Sequence, residues 1–96
     1  MSSREKDPVD ELLTLKDWLR YGTSCFRSSG LVFGHGTQNA TDEAAFLLLS
    51  SLDLPIDQLE NWLDCRLTYE ERLKISALFQ KRISTRKPAA YLMNKA

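Results

Sequence analysis

Apolar residues recur along the chain at steps of three and four, with polar residues between them. Leu12, Leu15, Leu19, Gly22 and Phe26 fall on one stripe, flanked by Trp18 and Cys25, which predicts a helix burying a broad face. Its start is read at Asp7-Pro8, with Asp7 as N-cap, Pro8 at the first helical position, and Asp10 and Glu11 near the positive end of the dipole. Ser29-Gly30 closes it, because glycine readily takes the left-handed conformation that ends a helix. Residues 1–6 read as a loose tail. Leu31-Val32-Phe33 reads as an extended segment laid across the helices, since no second strand candidate accompanies it.

A second helix opens near Asn39 or Thr41, either of which can cap it, with Asp42 and Glu43 in the first turn. From Ala44 to Leu52 it is apolar almost all round, the pattern of a central helix touched on several sides. Asp53-Leu54-Pro55 turns the chain into a short helix, Ile56 to Leu63. Ile56, Leu59, Leu63 and Trp62 are expected to face inwards there, with acids outside. Thr68-x-x-Glu71 is a capping box, and the helix it opens runs to about Thr85. Ile75, Phe79 and Ile83 form its inner stripe, widened by Tyr69, Leu73 and Ser76, while Lys74, Lys81 and Arg82 are assigned to the other face. Pro88 interrupts the pattern and leaves a short turn or helix to Leu92. The expected fold is all-α: a small bundle of four main helices plus a short C-terminal turn or helix.

Ninety-six residues make one small domain, and an apolar content of 43% excludes a wholly disordered chain. The expected division is a tail (1–6), a helical domain (7–87) and the start of a linker (88–96). With 13 basic and 13 acidic residues, the net charge argues against a general nucleic-acid binder. The distribution is more informative than the sum. Asp42, Glu43, Asp53, Asp57, Glu60, Asp64, Glu70 and Glu71 face Arg66 alone in their stretch, whereas Arg72 to Ala96 holds seven bases and no acid. These charges are either solvated faces that compensate one another or an acidic surface that meets a basic partner. Cys25 and Cys65 have no C-x-x-C spacing and read as two buried thiols, although one disulfide stays open. No signal peptide and no apolar run long enough to span a bilayer occurs, so a soluble, cytoplasmic protein is expected.

The most unusual local sequence is Gly34-His35-Gly36-Thr37. Its glycines permit a backbone path that other residues resist and bring His35 close to its neighbours. His35 either bonds the loop to a helix end or contacts a partner. A lone histidine without accompanying ligands is not a metal site, and Gly34-x-Gly36 lacks the further glycine and the strand of a phosphate loop. Trp62 fits core better than contact. No nucleophile elbow, paired nucleophile and base, or cofactor loop is present, so these residues carry no catalysis by themselves.

Two segments carry a resemblance. Arg86-x-Pro88-x-Ala90-Tyr91-Leu92-x-Asn94-x-Ala96 and Gly34-His35-Gly36-Thr37-x-Asn39-x-x-Asp42-Glu43-Ala44 are similar to parts of the bacterial protein-glutamine N5-methyltransferases of the HemK/Prm family. The first looks like the junction between a helical N-terminal domain and an S-adenosylmethionine-binding domain. The second, with Asn94, looks like the branch acting on large-subunit ribosomal protein number three. The resemblance covers about Leu12 to Ala96. It implies a substrate-recognition domain, non-catalytic in itself, in a parent enzyme that binds S-adenosylmethionine in another domain. On that reading Gly34, His35, Gly36, Thr37, Trp62, Tyr91 and Asn94 are candidate contacts to substrate or to the catalytic domain. An apolar patch of Leu31, Phe33, Tyr91 and Leu92 would favour a dimer if left bare. The alternative is a free-standing helical module that binds protein or RNA through Arg72, Lys74, Lys81, Arg82, Arg86 and Lys87.

Overall fold

The structure, a computed structural model, describes residues 7–33 and 39–93. In chain order it places α1 (Pro8–Glu11), α2 (Leu15–Ser28), α3 (Ala40–Ser51), a 3₁₀ turn (Ile56–Gln58) running into α4 (Leu59–Trp62), α5 (Tyr69–Thr85) and α6 (Ala89–Leu92). Among the described residues there is no strand, only an isolated antiparallel bridge between Thr14 and Arg66. The fold is the expected small all-α bundle. None of its described helices is long and apolar enough to cross a membrane.

The helix expected from Asp7 to Gly30 is two helices. Asp7 caps α1 as anticipated, its carboxylate accepting from the Val9 amide at 3.0 Å. The chain then turns extended at Leu12, and Thr14 opens α2 with a capping box whose second member is Asp17. The break is stabilised by the segment that precedes α5. The Leu15 and Lys16 amides donate to the Cys65 and Leu63 carbonyls at 3.1 and 3.0 Å, and the Leu67 amide donates to Leu13 at 2.8 Å. The first-turn amides of α2, which lack intrahelical partners, are thereby satisfied. Trp18 closes the corner from inside: fully buried, it donates Nε1 to the Leu12 carbonyl at 2.7 Å.

α3 is the hub. Leu47, Leu48 and Leu49 are all 0% exposed, and the helix packs against α2, α5, the 3₁₀ turn and α6. Asn39 is its cap, accepting from the Asp42 amide at 2.8 Å. On α2, Gly22 makes room for side chains of α5 and α3: a Cβ there would lie 2.6 Å from the Phe79 ring and 3.1 Å from the Ala44 Cβ. Phe79 in turn meets Phe26 edge-on, with ring centroids 5.2 Å apart, and Trp18 at 6.0 Å. Gly30, at φ +69°, ends α2 in the left-handed conformation.

Several expected orientations are reversed. Ile56 is 52% exposed rather than inward, because the chain enters α4 through a 3₁₀ turn that swings it outward. Tyr69 and Leu73 do not widen the buried stripe of α5. The Arg72 side chain between them instead reaches back, donating to the Val9 and Leu67 carbonyls at 2.7 Å each. Leu31 belongs to the core, and Val32 takes the exposed position beside it. Arg82 and Glu43, both assigned to surfaces, are buried. Cys25 and Cys65 are free, half-buried thiols.

Candidate functional site

Of the candidate contacts, Trp62 and Tyr91 are described; Gly34, His35, Gly36, Thr37 and Asn94 lie outside the described residues. Trp62, at the end of α4, packs partly buried against the core, and its buried Nε1 finds no acceptor among the described residues. Tyr91 projects from α6, 64% exposed, with the Lys87 ammonium 4.8 Å from its ring centroid. The two belong to different elements, α4 and α6.

Around the described end of the Leu31–Phe33 arm lies a polar cluster that the charge pattern did not reveal. Glu43, in the first turn of α3, is 2% exposed and Arg82, in the last turn of α5, is 1% exposed. They form a buried ion pair through Arg82 Nε and Glu43 Oε2. The same carboxylate oxygen accepts from the Ala89 amide, the first residue of α6, at 3.2 Å. Arg82 Nη2 donates to the Val32 carbonyl at 3.1 Å, and its guanidinium lies 5.8 Å from the Phe33 ring centroid. Arg82 Nη1 has no acceptor among the described residues. One turn on, Arg86 Nη2 donates to the Ser29 and Gly30 carbonyls at 3.1 and 3.0 Å.

The acidic stretch is therefore thinner than its composition. Glu43 is withdrawn into the core and Glu71 is engaged in the α5 capping box, with Oε1 2.9 Å from the Thr68 amide. Asp53, Asp57, Glu60 and Asp64 remain exposed on the segment around the 3₁₀ turn and α4, with exposed Ile56 among them. Asp57 lies in the 3₁₀ turn, Glu60 in α4 and Asp64 just beyond it, all three exposed. A shallow hollow lined by Ile56, Asp57, Gln58, Leu59, Glu60 and Asn61 runs along this ridge.

The bases of the C-terminal third are largely bonded to the chain's own backbone, although among those described only Arg82 is buried. Arg72, Arg82 and Arg86 donate to carbonyls as described, and Lys74 Nζ donates to the Ser51 carbonyl at 2.9 Å, at the negative end of α3. Four of the six cations available to an RNA-binding reading are thus bonded to this chain's own backbone.

A second hollow, between α2 and α3, is lined by Lys16, Leu19, Arg20, Thr23, Ser24 and Thr41. Neither hollow has the Gly-rich strand-to-helix turn that would seat a nucleoside cofactor, and no group of metal-ligating side chains occurs among the described residues. The described residues do not fit a bound S-adenosylmethionine. Two ionisable groups on α2 are perturbed, both for local reasons. The Thr14 amide, helped by that of Leu13, holds the Asp17 carboxyl below its ordinary range against the opposing effect of burial. Burial, with a hydrogen bond to Cys25, pushes the Tyr21 phenol up.

Comparison with known proteins adds what the geometry lacks. The chain is 46% identical over 88 residues to the ribosomal protein uL3 glutamine methyltransferase of Neisseria meningitidis serogroup B, covering 92% of this chain and 29% of that protein. The protein of the same name from Xanthomonas campestris pv. campestris is 49% identical over 88 residues, with the same coverage of each chain. That from Bordetella pertussis is 43% identical over 86 residues, covering 90% of this chain and 29% of its own. The chain spans about three tenths of the length of these curated relatives. No family model and no solved structure matches it.

Proposed function

We propose, taking this chain's kinship with one part of the ribosomal protein uL3 glutamine methyltransferases as the starting point, that it is the substrate-recognising domain of such an enzyme. The observation that carries the reading is an identity of 43% to 49% sustained across nine tenths of the chain. The parent enzyme would act in the cytoplasm and methylate the side-chain amide nitrogen of a glutamine in uL3. Its methyl donor, S-adenosylmethionine, supplies an electrophilic methyl group and would be held by residues beyond this domain, with 88–96 as the linker towards them.

The work left to these 96 residues is binding. Ribosomal proteins are basic, and the ridge of Asp53, Asp57, Glu60 and Asp64 offers them a complementary field. Exposed Ile56 and the half-buried Trp62 give that ridge an apolar component. Binding energy gained here, away from the reacting amide, can hold the substrate in line for transfer. The remaining candidates, Gly34, His35, Gly36, Thr37, Tyr91 and Asn94, are assigned to contact with the substrate or the catalytic domain.

Calorimetric titration of this chain into isolated uL3, at low and at high salt, tests the proposal. Binding that weakens steeply with salt is expected, because the ridge charges are exposed and screened. Absence of binding at either salt would remove recognition from this domain.

A further inference from the structure

The Glu43–Arg82 pair holds backbone, and what it holds are the two segments that flank the least ordinary sequences in the chain. Glu43 Oε2 takes the amide of Ala89, where α6 begins, and Arg82 Nη2 takes the carbonyl of Val32, at the end of the arm that leads into Gly34. Ala89 itself is 1% exposed, so its amide has no access to water as a substitute acceptor. A pair buried this deeply pays a desolvation cost that apolar residues of similar volume would avoid. An apolar pair would fill the core as well; it could not accept from Ala89 or donate to Val32.

We propose that Glu43 is a positioning residue for methyl transfer: it holds α6 directly and, through Arg82, the arm, so that the acidic ridge is presented at a set angle to whatever follows α6. The inference rests on the recognition-domain reading. The geometry also makes a division of labour. Ridge residues govern how tightly substrate is held, and Glu43 governs how well the held substrate is aimed.

The test uses the full-length protein that contains this chain, with uL3 as substrate, and the variants Glu43→Leu/Arg82→Met and Glu43→Gln. Thermal unfolding, amide exchange at Ala89 to Met93, and kcat and KM of methyl transfer are measured together. The double variant is expected to stay folded with a Tm lowered by several degrees, since the core stays filled but the Ala89 amide and the Val32 carbonyl lose their partners. Its Ala89 amide should exchange about tenfold faster or more, for want of an acceptor. Its kcat should fall about tenfold or more with KM held within about twofold, the signature of lost alignment. Glu43→Gln, which keeps the shape and one acceptor oxygen, should move exchange and kcat in the same directions by less. If the double variant unfolds, the Gln variant decides by the same readouts. Unchanged exchange, or faster exchange with unchanged kcat, overturns the proposal. A wild-type protein that transfers no methyl to uL3 overturns the recognition reading instead, and exchange at Ala89 then still shows whether Glu43 holds α6.

Discussion

At the scale of single residues the core is set by close contacts that leave little slack. Gly22 is the clearest case. An exposed mid-helix glycine replaced by alanine would gain roughly 1 kcal/mol of helix propensity. Here the new Cβ would sit 2.6 Å from a buried phenyl ring that Phe26 and Trp18 hold in place. Overpacking of that kind costs about 1–3 kcal/mol, so Gly22→Ala should lower stability in urea unfolding despite the better propensity. Asp53 offers the opposite case. It sits just past α3 at φ +59°, where a side chain is strained, and its carboxylate lies at the negative end of the dipole. Asp53→Gly relieves both and should raise Tm by a few degrees, an expectation open to differential scanning calorimetry. The stripe of Leu15, Gly22 and Phe26 was legible because burial on a helix imposes its period on the sequence. Glu43 and Arg82 were not, since an ion pair formed across 39 positions leaves no local trace and each residue alone looks like solvated charge.

At the scale of elements, local chemistry decided where helices stop. The Thr68 box announced α5 because a break in apolar pattern preceded it. The equivalent Thr14 box, with Asp17 3.1 Å from the Thr14 amide, went unread because the apolar stripe runs straight through Leu12, Leu15 and Leu19. The break depends on carbonyls of Leu63 and Cys65, which the periodicity of α2 cannot foresee. Thr14→Ala should cost about 1 kcal/mol, as should Thr68→Ala, each lowering Tm by several degrees in thermal unfolding followed by circular dichroism. The Asp17 carboxyl titrates below its ordinary value of 3.8 in the folded chain, so its contribution is present above that value. It is lost as pH falls through the lower, folded value. The stability gap between wild type and Asp17→Asn should therefore be constant near neutrality and shrink in acid, below about pH 4.

At the scale of the whole molecule, charge is sorted by what it is bonded to. Four of the bases of α5 and its extension, Arg72, Lys74, Arg82 and Arg86, are bonded to backbone carbonyls, while the acids around α4 face solvent. The chain is nominally neutral, yet the face around α4 should carry a negative potential. Replacing Asp57, Glu60 and Asp64 by asparagine and glutamine should leave the fold intact, because all are exposed, and should flatten the salt dependence of any uL3 binding. An unchanged salt slope in calorimetry would move the contact elsewhere. The fold class was readable from pattern alone. The ridge was readable only in outline, because composition does not distinguish Asp57, which faces water, from Glu43, which does not.

The amide of Ala89 resting on Glu43 also dictates where this molecule can be cut and spliced. A chimera joined just after Thr85, at the apparent end of the last long helix, would keep Glu43 but import a foreign α6, whose first amide meets that carboxylate only if the foreign chain leaves α5 along the same path. Crossovers placed beyond Met93 carry α3, α5 and α6 as one inherited block. Domain exchange among relatives is expected to be tolerated better at the later boundary than at the earlier one, however smooth the earlier junction looks in the sequence.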